Sequence, residues 1–394
     1  MNITVVCDVL GEETNGTTLA AMNLIRFLQS QKHNVKILCA DVTKKGISNY
    51  YVVPTLSLWP FDKIVEKNNV VLAKPKDDII EEALEGADHV HIMLPFALGR
   101  RTLKLAKQKG LPVSAGFHAQ AENLSCHVRL QNDRVVNKLI YKNFYNHFYK
   151  YVDAIHYPTQ FIRDDFEKKL KIKTNGYVIS NGVNDYISKK QVEKPEELKD
   201  KFVILSTGRY SVEKAQWQLI EAIKYSKYKD RIKLILAGQG PLEKKFIRLA
   251  KRMKVDTFFG VYERSEMVNV INYCDLYVHA AKYELEGIAC LEAISCGKMV
   301  LVCDSKNSAT PNFVIDDKCK FKPNKPKELA KVIDYWIEHK EERKKYEDLY
   351  LQKASEFNQH ECMKKMEQMM FDLQQKRWTI KFTFLISNFF RNLF

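Results

Sequence analysis

Short apolar runs alternate with segments of helical periodicity along most of this chain of 394 residues, and this alternation narrows the folds it can adopt. The first forty residues contain an apolar strand at 3–6, a helix-like segment at 19–28 and a second apolar strand at 35–39. Continuous apolar strands separated by helices are typical of a parallel sheet that is covered by helices on both faces. The N-terminal segment therefore predicts a β-α-β unit.

The same pattern continues along the chain, with one interruption. Residues 184–201 are polar and contain Pro195 among several lysines, which is typical of a junction between domains. We therefore expect an α/β protein with two doubly wound, Rossmann-like domains that face a central cleft, and the cleft is the expected ligand site. Further strands are expected at 89–93, 112–117, 154–156, 202–207, 233–237, 276–280 and 299–303, and helices at 100–109, 216–225 and 242–253.

The expected domain bounds follow from the position of this junction. An N-terminal domain covers residues 1–183, the junction covers 184–201, and a C-terminal domain covers 202–355. Residues 356–394 form a helical, highly charged segment that ends in a tail of mixed basic and apolar residues. Each domain has an ordinary size for a chain with its own hydrophobic core.

Charge and cysteine usage limit the partners and the compartment. The formal net charge is +15, which indicates an anionic partner such as nucleic acid, anionic lipid or a phosphorylated ligand. The nine cysteines include no Cys-x-x-Cys pair, so we expect neither a disulfide framework nor a structural zinc site, and a reducing cytosol fits best. Residues 1–9 are interpreted as a strand rather than a signal peptide, and no apolar run reaches the ~18 residues of a membrane span.

The segment from Glu284 to Glu292 is the most informative motif in the chain. Gly287 opens a predicted helix over 288–296, and Gly297 suits a left-handed stop at its end. Glu284 then lies in the loop before the helix, and Glu292 lies just over a turn inside it. Loop amides and a helix N-terminus favour an anion, beside which a carboxylate can bind hydroxyls. A nucleotide sugar offers this combination, whereas the alternative is a solvated acidic first turn.

Two further loops follow strands of the C-terminal domain. Arg209 and Lys214 come after the strand at 202–207, where Arg can grip a phosphate with two donors and Lys acts as a point charge. Gly238 and Gly240 end the strand at 233–237, and such glycines let the backbone approach a ring or a phosphate. A solvated loop with an internal Lys–Glu pair is the alternative for the first loop, and a tight strand-to-helix turn is the alternative for the second.

Together these motifs resemble the donor-binding half of glycosyltransferase family 4, which has the two-domain GT-B fold. A Gly-Arg loop with a following Lys, a Gly-x-Gly-Pro turn and a Glu-x7-Glu segment occur here in the family's order within residues 203–305. The resemblance implies that Arg209 and Lys214 bind the donor diphosphate, that Glu292 binds the ribose, and that Glu284 or Glu286 lies by the donor sugar. It also implies donor contacts from the loops that flank these residues, at Gly238, Gly240, Val261, Tyr262, Gly287, Ile288 and Ala289.

The resemblance extends to the N-terminal domain. His118 follows a strand where the family places a histidine that faces the donor sugar, although a structural loop histidine is the alternative. Gly16 lies in the first loop, near where the donor phosphate or the acceptor would bind. The chain is more closely similar to the bacterial lipid α-glycosyltransferases, a group that includes cholesterol and diacylglycerol α-glucosyltransferases. The segments that carry this similarity are 14–18, 73–75, 91–96, 116–118, 208–211 and 288–292.

Two segments are candidates for contact with a membrane. Residues 129–150 interleave lysines and arginines with aromatic residues, and residues 376–394 combine four basic residues with many phenylalanines and no acid. Basic residues next to bulky apolar ones in a segment too short to span are typical of an interfacial anchor. The alternative for 129–150 is a helix that packs its aromatic stripe into the core. A nucleic-acid partner is not expected, because no DNA- or RNA-binding motif is present.

The resemblance implies an enzyme that moves a glucose or galactose from a UDP-sugar to the hydroxyl of a sterol, diacylglycerol or ceramide, with retention of configuration. It implies no metal and no cofactor, and no Asp-x-Asp metal motif is seen. The expected location is the cytoplasmic, inner face of the cell membrane. One alternative is a GT-B enzyme of capsule or lipopolysaccharide assembly with a glycan acceptor. A second is a nucleotide-sugar or nucleic-acid binding protein without catalytic activity.

Overall fold

The computed structural model describes residues 1–8, 10, 16–56, 72–125 and 130–391, with residues 378 and 380–391 described by their backbone alone. The sequence motif at 14–18 is therefore described only from Gly16 onward, and residue 129 of the basic aromatic segment lies outside the described residues. The chain divides into two compact units. The first contains Met1–Ile179 and Glu361–Phe394, and the second contains Ser180–His360.

The first unit is built on a sheet of seven parallel strands in the order β3-β2-β1-β4-β5-β6-β7. The strands pair in parallel through crossover connections, and Val5, on an interior strand, pairs with Ile37 on one side and His91 on the other. Its strands are β1 Asn2–Cys7, β2 Asn34–Cys39, β3 Tyr50–Val52, β4 His89–Ile92, β5 Val113–Gly116, β6 Ala154–Tyr157 and β7 Gly176–Val178.

Helices pack on this sheet through apolar stripes. They are α1 Gly16–Ser30, α2 Asp77–Leu84, α3 Ala97–Gln108, α4 Ala121–Ser125, α5 Arg134–His147 and α6 Gln160–Leu170. The aromatic stripe of α5 packs into the core, since Tyr141 and Phe144 are buried and Phe117 stacks on Tyr141 with 6.2 Å between ring centroids. The aromatic side of this helix therefore packs into the core, which is the alternative given above for residues 129–150. Lys138 and Lys142 lie on its exposed side.

The second unit contains a sheet of six parallel strands in the order β10-β9-β8-β11-β12-β13. Its elements in chain order are β8 Phe202–Thr207, α7 Trp217–Tyr225, β9 Ile232–Ala237, α8 Glu243–Met253, β10 Thr257–Gly260, α9 Arg264–Tyr273, β11 Leu276–His279, α10 Ile288–Ser295, β12 Val300–Cys303, β13 Lys320–Phe321, α11 Pro326–Glu338 and α12 Lys340–Lys353. The strand order reverses between β8 and β11, and ligands of such sheets bind beyond the carboxyl ends of the strands at this switch point. The two Rossmann-like sheets predicted from the sequence are confirmed.

Residues 184–201, whose composition is typical of a junction, lie in the second unit and are tied to it. The backbone amide of Lys190 donates to Oδ1 of Asn272 at 2.8 Å, and Lys194 forms an ion pair with Asp275 at 2.5 Å. Apart from a 3-10 turn at Glu196–Leu198, the segment has no helix or strand. It therefore lies along the surface of α9 and β11 instead of forming a sheet element.

The last helix, α13, runs over Gln359–Arg391. Its early turns pack into the first unit, where Met363, Met366 and Met370 are buried and Glu367 lies 2.5 Å from Nε2 of His33. In the ranges that the structure describes, no helix is long and apolar enough to cross a membrane.

Candidate functional site

The motif loops of the second unit meet at the carboxyl edge of β8 and β9. The amide of Gly208 donates to the carbonyl of Ala237 at 2.9 Å, and the amide of Tyr210 donates to Gln239 at 3.0 Å. These bonds extend the pairing of the two strands into their loops. The Gly-Arg loop and the Gly-x-Gly-Pro turn therefore form one rigid rim.

The glycines of the second loop are required by this close packing. A Cβ on Gly238 would lie 2.1 Å from the carbonyl oxygen of Gly208, and a Cβ on Gly240 would lie 2.7 Å from the backbone N and O of Tyr210. Only a residue without a side chain fits at either position. The packing of one loop on the other accounts for both glycines, and no ligand is needed to explain them.

Lys214 and Glu284 form an ion pair at the edge of this rim. His279, at the end of β11, lies behind the pair with its Nε2 2.9 Å from Oε1 of Glu284. The ring of His279 contacts the hydroxyl of Tyr277 at 3.4 Å, and that hydroxyl lies 2.8 Å from Oγ1 of Thr207. A chain of polar contacts that begins at Thr207 in the sheet therefore holds the carboxylate of Glu284 in position.

The charges of this pair stabilise each other. Burial alone would raise the pKa of Glu284, but the charge of Lys214 and the hydrogen bond from His279 outweigh it and lower this pKa to about 2. Burial acts against the charge of Lys214 as well, yet Glu284 raises the pKa of its ammonium above the ordinary value. Lys214 is therefore cationic and Glu284 anionic across the whole physiological range.

Gly287 turns the chain into α10 with a left-handed backbone, at φ 88°. A Cβ here would lie 2.7 Å from Cγ2 of Thr310, so both conformation and space favour glycine. The amides of Ile288 and Ala289 stand in the first turn, where helical amides have no acceptor within their own helix. This helix start, predicted from the sequence with the stop at Gly297, presents amide dipoles beside the Lys214–Glu284 pair.

Glu286 contacts the first residues of the second unit. The hydroxyl of Ser180 donates to its Oε1 at 2.5 Å, and the side-chain amide of Asn181 donates to its Oε2 at 2.5 Å. The backbone amide of Asn181 is a third donor, 3.1 Å from Oε1. Burial raises the pKa of Glu286 to about 7 against the effect of these hydrogen bonds. Its carboxylate is thus engaged in holding the loop before α10.

Glu292 lies inside α10 and Arg209 in the loop after β8, and both are half-buried. Burial raises the pKa of Glu292 to about 7, with an opposing effect from Arg264, whose Nη2 lies 4.0 Å from its Oε1. The backbone carbonyl of Arg209 accepts from the side-chain amide of Gln216 at 2.8 Å, which fixes the loop that carries its guanidinium. Near this rim, Val261 is exposed and the ring of Tyr262 lies 5.3 Å from that of Phe258.

In the first unit, His118 lies just beyond β5 and its ring covers Gly116. A Cβ on Gly116 would lie 2.5 Å from Cδ2 of His118, so glycine is required there. Burial, with the nearby His156, lowers the pKa of His118 to about 3, and the imidazole is therefore neutral. Gly16 is the first residue of α1, and a Cβ there would meet no described residue within 4 Å, so the described part of the structure does not explain a glycine.

Sequence reasoning missed His279, Arg264 and the Ser180–Asn181 contact. His279 had a readable signal, because it ends a buried strand five residues before Glu284. No sequence signal indicates the contact of Glu286 with Ser180 and Asn181, because these partners lie about a hundred residues away in sequence. Within the described residues, no group of three or more His, Cys, Asp or Glu side chains is placed to hold a metal ion. The site therefore offers cations and amide dipoles for an anion, with carboxylates alongside for hydroxyl groups.

Two family models match the chain. Residues 14–185 match Glycosyltransferase Family 4, and residues 188–349 match Glycosyl transferases group 1. The matched segments together span most of both units and include the Gly-Arg loop, the Gly-x-Gly-Pro turn, the Glu284–Glu292 segment and His118.

Curated relatives and a solved structure agree with these matches. Alpha-monoglucosyldiacylglycerol synthase from Streptococcus pneumoniae is 23% identical over 76% of this chain and 70% of the relative. The protein of the same name from Acholeplasma laidlawii is 24% identical over 81% of this chain and 84% of the relative. Anabaena HepE in complex with UDP-glucose is 16% identical, with a TM-score of 0.72 over 94% of this chain and 100% of that chain. The similarity to HepE shows a shared fold and nothing more.

Proposed function

Because the chain belongs to glycosyltransferase family 4 and has the two Rossmann-like sheets of the GT-B fold, we propose that it transfers a hexose from a UDP-sugar to the hydroxyl of a membrane lipid, with retention at the anomeric carbon. The observation that carries the proposal is the cationic Lys214 held by Glu284 beside the N-terminus of α10. Support for a lipid acceptor comes from the two synthases, whose names specify a glucosyldiacylglycerol product.

The donor diphosphate fits the cationic side of this site. The amides of Ile288 and Ala289, with Lys214 and Arg209, offer the donors that a pyrophosphate needs. The carboxylate of Glu292 is placed inside α10, where it would accept hydrogen bonds from the ribose hydroxyls. A structural neighbour that binds UDP-glucose supports a uridine donor for this fold. Val261 and Tyr262 would border the base.

The chemistry would depend on charge stabilisation. In the transfer, the bond between the anomeric carbon and the diphosphate oxygen breaks, and a bond from the acceptor oxygen to that carbon forms on the same face. The acceptor proton passes to the departing phosphate oxygen. Lys214, Arg209 and the first amides of α10 would stabilise the negative charge that builds on the diphosphate, because fixed dipoles and cations need no reorganisation during the reaction. No metal or cofactor has a role in this scheme.

Glu284 would serve mainly to orient Lys214, because its carboxylate already accepts from the ammonium and from His279. Its remaining acceptor positions would bind a donor-sugar hydroxyl. Glu286, engaged by Ser180 and Asn181, would hold that loop rather than meet the sugar. The neutral imidazole of His118 would be a hydrogen-bonding partner for the sugar, since its low pKa leaves it uncharged.

The protein would work at the cytoplasmic face of the cell membrane. Residues 376–394 combine basic and apolar side chains in a form typical of an interfacial anchor. The exposed side of α5 adds Lys138 and Lys142, next to the exposed Leu139. Each cation near an anionic surface contributes about 1 kcal/mol to binding. Peripheral binding by these segments would bring the donor site to its acceptor.

The proposal is tested by incubating the full-length protein with UDP-glucose or UDP-galactose and vesicles that contain diacylglycerol, a sterol or ceramide. We expect one glycolipid product by mass spectrometry and an α linkage by NMR. The Arg209→Ala and Glu292→Ala variants should each lose at least about 100-fold in turnover. Transfer to glycan acceptors alone would favour capsule or lipopolysaccharide assembly, and turnover that survives both substitutions would reject the proposed site.

A further inference from the structure

A groove on the second unit lies apart from the donor site. It runs between helices α7 and α8 and has a volume of about 410 Å³. None of its lining residues belongs to the loops that meet at the carboxyl edge of the sheet. It is lined by Trp217, Glu221, Lys245, Arg248, Leu249 and Arg252.

Helix α8 carries a continuous cationic stripe along this groove. Its buried side is formed by Phe246, Leu249 and Ala250, which pack on the unit. At about 100° per residue, its basic side chains fall within a sector of about 120° on the opposite side. These side chains are exposed and belong to Lys244, Lys245, Arg248, Lys251 and Arg252.

These five cations have no acidic partner among the residues that the structure describes. Within the described part of the chain, no ion pair of 4.0 Å or less reaches any of them. Many other lysines of the chain have such a pair, including the neighbouring Lys233 with Asp256. Glu221 is the one carboxylate among the residues that line the groove, so three groove cations face a single acid. The groove therefore retains an excess of positive charge.

The groove also has an apolar base. Trp217 is half-buried at the start of α7, and Leu249 is buried on α8, so the cations at the mouth stand over apolar surface. An anion with an attached apolar group fits both the cations and the apolar base of such a site. Arg binds phosphate oxygens through two donors, and the hydrocarbon can cover the ring of Trp217. The exposed Ile247, on the same helix, adds an apolar side chain next to the stripe.

We propose that the α7–α8 face docks on an anionic bilayer, with the phosphodiester of an acidic phospholipid in the groove between Trp217 and Arg248. The proposal rests on the proposed function, which brings the enzyme to a lipid surface. Nucleic acid fits less well, because strand binding needs a row of exposed stacking aromatics and the groove has one half-buried tryptophan. This face adds a contact to those expected from α5 and residues 376–394.

The test uses the full-length protein and sedimentation with phosphatidylcholine vesicles, with and without phosphatidylglycerol. The variant replaces Lys245, Arg248 and Arg252 with Gln. The matched control replaces Lys331, Lys340 and Lys345 with Gln, which removes the same charge from exposed positions of α11 and α12. We expect the groove variant to lose about 100-fold in affinity for the phosphatidylglycerol vesicles and the control to lose less than about threefold.

Other outcomes would overturn the proposal in distinguishable ways. Equal losses in both variants would mean that net charge alone attracts the protein. Displacement from vesicles by inorganic phosphate, at an ionic strength where chloride has no effect, would assign the groove to a free phosphate ligand. A loss confined to single-stranded RNA binding would assign it to nucleic acid.

A second readout separates this proposal from the proposed function. With an acceptor lipid dispersed in neutral detergent, turnover of the groove variant should equal that of the unmodified protein, because no groove residue belongs to the donor site. Absence of turnover in the unmodified protein would count against the proposed function, while the vesicle result would still decide the role of the groove. A groove variant that binds vesicles normally would reject the docking face whatever the turnover.

Discussion

Lys214 is the residue whose surroundings say most about the chemistry of the site. Its ammonium is paired with a carboxylate that is itself fixed by His279, so its position is set before any ligand binds. A preorganised cation stabilises a developing anion without the cost of reorientation. At the same time, Glu284 keeps Lys214 in its charged form, since it raises the pKa of the ammonium.

We predict that Lys214→Met lowers turnover at least about 100-fold and lowers the free energy of unfolding by about 1–3 kcal/mol. The stability loss follows because Glu284 would be left as a poorly compensated buried charge. In the double variant Lys214→Met/Glu284→Gln, stability should recover and turnover should not. Urea denaturation and a UDP-sugar assay measure the two effects, and recovery of turnover in the double variant would show that Lys214 has only a structural role.

A second prediction at this scale concerns the backbone at Gly287. Gly287→Ala should lower the free energy of unfolding by about 1–3 kcal/mol, because a left-handed residue gains a Cβ that collides with Thr310. Adding Thr310→Ser removes the colliding methyl group and should restore part of this loss. The affinity for UDP, measured by calorimetry, should fall in the single variant. An unchanged affinity would mean that the α10 amides do not bind the donor.

At the scale of elements, the sequence predicts the strands that are buried on both faces of a sheet and misses strands at the sheet edges. Strands β8 and β9 have continuous apolar runs and are found where expected. Strands β7 and β10 were not predicted, because they are edge strands of only three and four residues, and such short apolar runs give little signal in a sequence. The helix α10 was predicted because glycines mark both of its ends. The partners of Glu286 were not, because only the tertiary fold brings residues 180 and 181 to it.

Strands β4 and β6 and the loop after β5 together hold a cluster of buried histidines, for which we predict a dependence of stability on pH. Burial lowers the pKa of His89 and His118 to about 3 and of His156 to about 4, and it also lowers that of His91. The unfolded chain binds protons below pH 6.5, whereas the folded chain does not. Stability is therefore complete above pH 6.5 and falls as the pH decreases toward 4, by about 2 kcal/mol at pH 5 for each of His89, His118 and His156.

Chemical denaturation between pH 4.5 and 7.5 measures this effect. The variant His156→Gln should show a slope smaller by about one proton than the unmodified protein. The control is His147→Gln, which replaces an exposed histidine of α5 in the same unit and should leave the slope unchanged. Parallel slopes for all three proteins would contradict the assignment of the pH dependence to the buried cluster.

At the scale of the whole molecule, the expected anchor and the expected donor site belong to different units. Residues 361–394 are part of the first unit, whereas Arg209, Lys214 and Glu292 belong to the second. Removing the end of α13 should therefore affect membrane binding without affecting the donor site. This separation makes the two functions independently measurable.

We predict that deletion of residues 378–394 lowers binding to phosphatidylglycerol vesicles at least about tenfold and leaves turnover on detergent-dispersed acceptor unchanged. The deletion keeps Arg377, which donates to the carbonyl of Leu111 at 3.0 Å and helps hold α13 on the first unit. A full-length variant in which Phe382, Phe384, Phe389 and Phe390 are replaced with Ser controls for truncation. Normal vesicle binding by both proteins would exclude this segment as an anchor.

The discontinuity of the first unit has a consequence for synthesis on the ribosome. Met363, Met366 and Met370 fill its interior, yet they are translated after all 181 residues of Ser180–His360. The sequence of the second unit is completed first. This unit can therefore fold while the first unit, although begun earlier, still lacks the part of its core that α13 supplies. Until α13 is synthesised, the nascent N-terminal half exposes the apolar surface that these methionines cover in the folded protein. We therefore expect chaperones to be most needed during this period of synthesis.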